Sequence, residues 1–177
     1  MRRLVIIGLF ALLLSACVST PAQDDPVVTD WFASGKAAYD NKDYAQALEK
    51  FQPAARAGHA QAQYYMAILY DFGRGVAVDH EEAVAWYLKS ARQGYSAAQY
   101  NLAVSYERGE GVTQDYNEAV YWFNQAAENN DKDAQRVLGI YYRDGRLLQQ
   151  DLDKARYWLQ KAAEQGDERA QRILENM

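Results

Sequence analysis

Residues 58–93 read GHAQAQYYMAILYDFGRGVAVDHEEAVAWYLKSARQ, and residues 94–129 read GYSAAQYNLAVSYERGEGVTQDYNEAVYWFNQAAEN. Laid one beneath the other, the two stretches agree at position after position without a gap. The agreement runs on into a third stretch, residues 130–165. Ala62, Ala98, Ala134 and Ala170 stand at steps of 36, as do Gln63, Gln99, Gln135 and Gln171. Tyr70, Tyr106 and Tyr142 match, as do Gly73, Gly109 and Gly145. Asp79, Asp115 and Asp151 follow, then Ala83, Ala119 and Ala155, and then Trp86, Trp122 and Trp158. Gly58, Gly94 and Gly166 share the period, with Asn130 in the remaining place. A fixed period of this length is the mark of an array of stacked units.

The physics of one unit is legible. Ala62, Met66, Leu69 and Tyr70 recur at helical spacing and make one apolar stripe. Gly73 and Gly75 end that helix and permit positive φ in the loop. Asp79 caps a second helix, and Glu82 three residues later completes a capping box. Asp115 with Glu118 repeats the box, while Asp151 with Lys154 keeps only the cap. Ala83, Trp86, Tyr87, Ser90 and Ala91 form the second stripe, in which small residues let neighbouring helices approach and the Trp fills the space between them. Gly94 then stops the helix.

These residues resemble the Sel1-like repeat, a relative of the tetratricopeptide repeat. The family pattern of Ala, Leu-Gly, Tyr, Gly-x-Gly-Val, Asp, Ala, Trp-Tyr and Ala-Ala-x-x-Gly is met three times between Ala60 and Gly166. Ala67 and Ala103 replace a family glycine that Gly139 keeps, and Leu147 replaces the second loop glycine of the third unit, where a distorted loop is expected. The resemblance implies an all-α fold: a right-handed α-solenoid of helix pairs. Three full repeats are expected at 58–93, 94–129 and 130–165. Residues 30–57 look like a shorter tetratricopeptide-like pair, with Gly35, Tyr39, Ala47 and Phe51 on its stripes, Asp43 and Gln46 at its second cap, and a loop about five residues shorter than the others. Residues 166–177 begin a further unit and stop after one helix, as a terminal cap does. Nine helices are expected in all.

The N-terminus has a different character. Met1-Arg2-Arg3 precedes an apolar run from Leu4 to Leu14, which is too short to span a bilayer, where about 20 residues are needed, and has the layout of a secretory signal. It ends in Leu14-Ser15-Ala16-Cys17, which resembles the lipobox of bacterial lipoproteins. That resemblance implies a signal peptide over 1–16, acylation of Cys17, and membrane attachment through the lipid. Cys17 is the only cysteine in the chain. Val18, rather than Asp, implies the outer membrane, with the domain facing the periplasm. Residues 17–29, rich in Ser, Thr, Gln, Asp and Pro, are expected to form the lipidated tether.

Composition narrows the function. Lys and Arg number 19 against 24 Asp and Glu, a net charge of -5. Removal of Arg2 and Arg3 leaves 17 minus 24, or -7. Such a balance does not attract nucleic acid or anionic headgroups, so no nucleic-acid partner is expected. Only Pro21, Pro26 and Pro53 occur, so nothing beyond Pro53 forbids helix on proline grounds. His59 and His80 lack a His or Cys partner at metal-ligand spacing, and surface placement is expected for both. Gly73-Arg74-Gly75 lacks the Lys-Ser of a phosphate loop and follows a helix rather than a strand. No catalytic group, metal or cofactor is expected.

The remaining signal lies on the first helix of each unit. If that helix lines the inner face, as in tetratricopeptide stacks, the groove presents Tyr64, Ile68 and Asp71, then Tyr100, Val104 and Glu107, then Arg136, Ile140 and Arg143. Tyr and Arg dominate many interfaces. The expected function is therefore non-catalytic binding of another protein, by a membrane-anchored module of the cell envelope. The resemblance admits an immunity protein against a secreted toxic effector or an envelope adaptor. The rival is a penicillin-binding, β-lactamase-like hydrolase, a reading attached to cysteine-rich relatives with a disulfide in each repeat, which this chain lacks.

Overall fold

A computed structural model describes residues 24–177. The expected signal peptide, Cys17 and most of the tether lie outside the described residues. Nine helices occur among those described: α1 (Pro26–Asp40), α2 (Tyr44–Arg56), α3 (Ala60–Asp71), α4 (His80–Ala91), α5 (Ser96–Arg108), α6 (Tyr116–Glu128), α7 (Lys132–Asp144), α8 (Leu152–Glu164) and α9 (Glu168–Glu175). Each packs chiefly on the helix before it and the helix after it, which is the contact pattern of an α-solenoid.

The local rules act as the residues imply. Asp79, Asp115 and Asp151 accept hydrogen bonds from backbone N–H groups of the first turns of α4, α6 and α8. Asp43 does the same for α2 through Gln46. Ala83, Trp86, Tyr87, Ser90 and Ala91 are the buried residues of α4. The α1–α2 connection spans residues 41–43, against 72–79 between α3 and α4, five residues fewer. Residues 26–29, expected in the tether, belong instead to α1. Pro26 opens α1, and the Asp25 carboxylate accepts from the N–H groups of Val27 and Val28. A proline preset for the first turn, behind an Asp cap, makes 26–29 helical.

The long loops contain the tightest approach in the molecule. Gly111 has φ 71°, and a Cβ there would lie 2.1 Å from the His80 carbonyl oxygen at the start of α4. A Cβ on Gly75 would lie 2.6 Å from the Tyr44 backbone, at the start of α2. In the third unit Leu147 takes the same left-handed conformation, with φ 60°. The turn is thus kept without glycine, and its side chain is half-buried against the core.

One polar chain runs through the stack. Gln63, Gln99 and Gln135 donate to the carbonyls of Ala55, Ala91 and Ala127, each at 3.0 Å. Their amide oxygens accept from Gln93, Asn129 and Gln165. Each glutamine so adds a second hydrogen bond to a carbonyl at the end of one helix, which already accepts from a backbone N–H, and ties that helix to the next.

Trp86 and Trp122 are 8% and 7% exposed, and their indole N–H groups donate to Glu82 and Glu118. Trp158 is only half-buried. Lys154 stands where the glutamate would be, and α9 packs on α8. His59 is a correction. It is 6% exposed, stacks on Phe32 with centroids 4.5 Å apart, and its Nδ1 accepts from the Ala62 N–H as the cap of α3. A ring that serves as both cap and packing surface is buried, whereas His80 lies exposed at the first position of α4.

Candidate binding surface

The same pocket recurs one unit further along the stack. The first lies between the end of α3 and α5. Its floor is Asn101, Val104 and Ser105, and Asp71, His80 and Glu110 stand around it. The second lies between the end of α5 and α7. Its floor is Val137, Ile140 and Tyr141, and Glu107, Tyr116 and Arg146 stand around it. Each of these six residues is 36 positions from its counterpart in the first. The volumes are about 430 Å³ and 630 Å³. Arg108 borders both and forms the ridge between them.

The corresponding position one unit earlier is filled. Tyr65 occupies the place of Asn101 and Val137. Its ring stacks on Phe51 at 5.0 Å and meets Tyr39 edge-on at 5.0 Å. Arg74 occupies the place of Glu110 and Arg146, and its guanidinium lies over Tyr39 and Tyr44. Ile68 is consequently 8% exposed, not a groove residue as expected. It shares its repeat position with Val104 and Ile140, which line the open pockets.

The other expected groove residues divide in the same way. Asp71, Tyr100 and Val104 come together in the first pocket, and Glu107 and Ile140 in the second. Tyr64 lines neither. It packs on Tyr65, Tyr87 and Tyr95, and burial pushes its hydroxyl up to about 12. Tyr100 is also tied to the core, edge-on to Phe123 at 5.7 Å, and burial raises its pKa too. Both tyrosines, expected to face the groove, lay their rings over the core. Arg136 is not free either. Its guanidinium donates to Asp167 at 2.8 Å and to Asp133. Burial works against its charge, but these pairs outweigh that and its pKa is raised. Arg143 pairs with adjacent Asp144 at 2.6 Å and borders neither pocket.

Sequence reasoning missed Arg108, Tyr116, Glu110 and Arg146. The last two stand at one repeat position, between the loop glycines or their replacement, so the period could have singled them out. The second pocket is the better ordered electrostatically. Glu107 accepts from the Tyr141 hydroxyl and from Arg146, both at 2.7 Å. Burial first, and that hydrogen bond second, raise the Tyr141 pKa. In the first pocket the Asp71 carboxylate meets His80 at 2.9 Å and accepts from the Tyr87 hydroxyl at 3.1 Å. Among the described residues no group of His, Cys, Asp and Glu is placed to hold a metal ion.

Known proteins share this architecture. The sequence pattern of the Sel1 repeat matches residues 35–59, 60–95, 96–131 and 132–167. A Sel1 repeat protein from Oxalobacter formigenes is 38% identical, with a TM-score of 0.75 over 78% of this chain and 57% of its own. The protein c5321, described as a protective antigen present in uropathogenic Escherichia coli strains, is 37% identical, with a TM-score of 0.76 over 81% of this chain and 32% of its own. This chain thus spans less than two thirds of either relative. Cysteine rich protein B of Helicobacter pylori, 16% identical with a TM-score of 0.52, shares the fold alone, over 68% of this chain and 98% of its own. No curated protein sequence matches. Repeats of this type generally serve as scaffolds that bind other proteins. With its repeats matched over residues 35–167, the chain belongs to the Sel1 repeat family.

Proposed function

We propose that this protein is a lipid-anchored, non-catalytic module of the bacterial outer membrane that binds another protein along the pocketed face of α5 and α7. The observation that carries the reading is the recurrence of one open pocket at one repeat step on one face. A stack that offers the same recess twice is suited to a partner segment running along it. The pockets are wide and open, and their polar groups are mostly paired with one another. That favours side-chain docking over turnover of a substrate.

The anchor rests on Cys17 and the apolar run before it. The negative net charge of the body supports attachment through lipid rather than through the protein surface. No helix among the described residues is long and apolar enough to cross a membrane. Within this reading the partner is either a toxic effector that the protein neutralises or a component of the envelope that it positions.

Two measurements test it. Cys17→Ser should leave an unprocessed precursor and abolish labelling by a fatty-acid probe; unchanged fractionation and mature mass would refute the anchor. Val104→Asp with Ile140→Asp places a carboxylate on each pocket floor. Capture of the native partner from detergent extract should fall by well over tenfold, a factor that corresponds to about 1.4 kcal/mol. Undiminished capture by the folded variant would place binding on another face.

A further inference from the structure

We propose that the two pockets read opposite charges. On this proposal, which rests on the groove reading above, the partner segment lying across them is extended. It carries a basic side chain for the first pocket, and an acidic side chain beside an apolar one for the second.

The charges come from single repeat positions. In the first pocket Asp71 and Glu110 contribute two carboxylates. The one guanidinium is that of Arg108, on the ridge, 3.8 Å from Glu110. Counted once, with the second pocket, Arg108 leaves Asp71 and Glu110 at -2 in the first. In the second, Arg108 and Arg146 contribute two guanidiniums against Glu107, or +2 - 1 = +1. Glu107 is also spent, since Tyr141 and Arg146 both donate to it and its side chain is 18% exposed. Arg108 and Arg146 are 63% and 61% exposed, and their ion pairs, at 3.8 Å to Glu110 and 2.7 Å to Glu107, lie on an open rim where a ligand carboxylate can compete for them.

The floors differ in the same sense. Asn101 and Ser105 make the first polar, while Val137 and Tyr141 make the second apolar. Phe72, 59% exposed at the rim of the first, already holds the Arg74 guanidinium 5.2 Å from its ring centroid. A segment laid down in reverse would set like charge against like, which disfavours that direction. Tyr65 and Arg74 stand at the preceding position, packed on the aromatic rings of Phe51 and Tyr39. Glu110 and Arg146, which occupy one position in successive units, are therefore the specificity-determining pair.

The probe is an array of synthetic peptides of about ten residues. Each carries one Lys and one Glu in either order at varied separation, with Leu beside the Glu; like-charge peptides serve as controls. Binding to the detergent-solubilised full chain is read by fluorescence anisotropy. One order should bind about tenfold tighter than its reverse at a single separation. Glu110→Lys with Arg146→Glu should invert that order. Equal binding of both orders, no inversion in the charge-swapped protein, or no peptide bound would each overturn the proposal. The groove reading is separable. If Val104→Asp with Ile140→Asp abolishes native capture while the charge swap leaves it intact, the groove stands and the charge reading falls. If neither change matters, both fall.

Discussion

The side chain of Gln99 donates to the carbonyl of Ala91 at 3.0 Å, across the junction between one helix pair and the next. Asn129 donates in turn to its amide oxygen at 2.9 Å. The contact recurs at Gln63 and Gln135, so the units are joined by a repeated hydrogen bond as well as by apolar packing. Gln99→Leu would leave the Ala91 carbonyl with the Gly94 N–H alone, at 2.9 Å, and would remove the acceptor of the Asn129 side chain. A hydrogen bond of this kind contributes about 0.5–1.5 kcal/mol net, and urea denaturation should show a loss of that order. Gln171→Leu should change little, because its bond to Ala163 is 3.5 Å long and exposed. Equal losses at both sites would mean that burial of the glutamine chain is not what matters.

Trp122→Ala should destabilise the protein by roughly 3–5 kcal/mol, as truncation of a buried aromatic does. Trp158→Ala should cost clearly less, since the ring is half-buried and meets no glutamate on its own helix. Melting curves of the two variants decide it. A Trp122→Ala protein as stable as its parent would contradict the packing described for α6.

Burial lowers the His59 pKa below its ordinary value of 6.5. The neutral ring accepts the Ala62 N–H, and the unfolded chain binds the proton more tightly than the folded one. Stability from His59 is therefore fully present above pH 6.5 and is lost as pH falls through that value and past the lower folded pKa. His59→Asn keeps a capping oxygen and cannot titrate. The drop in stability between about pH 8 and about pH 5 should be smaller in this variant than in its parent. An identical drop would assign the acid sensitivity to other groups.

Gly111→Ala should be strongly destabilising, because φ is 71° and the new Cβ would meet the His80 carbonyl at 2.1 Å. The left-handed conformation alone costs a non-glycine residue on the order of 1–3 kcal/mol, and the clash adds to it. Leu147→Gly relieves such a cost but gives up half-buried apolar contact. The two effects oppose, so its stability should stay within about 1 kcal/mol of the parent. Chemical denaturation of both variants checks the contrast.

Most of the fold was legible in the residues, because solenoids are built from local rules. Period, stripes, caps and the shorter first loop each follow from interactions within one unit or between neighbours. The boundary at Pro26 was read too late because a compositional tether and a helix start overlap there. The burial of His59 escaped because a cap is defined along the chain, while the Phe32 ring that covers it comes from a different helix.

Binding residues were less legible, and Ile68, Val104 and Ile140 show why. They are the same position of three successive units and carry similar side chains, so the sequence by itself determined that they share one stripe on one face. Only the tertiary structure decided that Ile68 is covered while the other two floor open pockets. The cause lies in Tyr65 and Arg74, which pack on aromatic rings of the preceding unit. Asn101, Val137, Glu110 and Arg146 at those places leave the recess empty. Periodicity reports what each unit repeats; a pocket forms where neighbouring units differ in how much space their side chains fill.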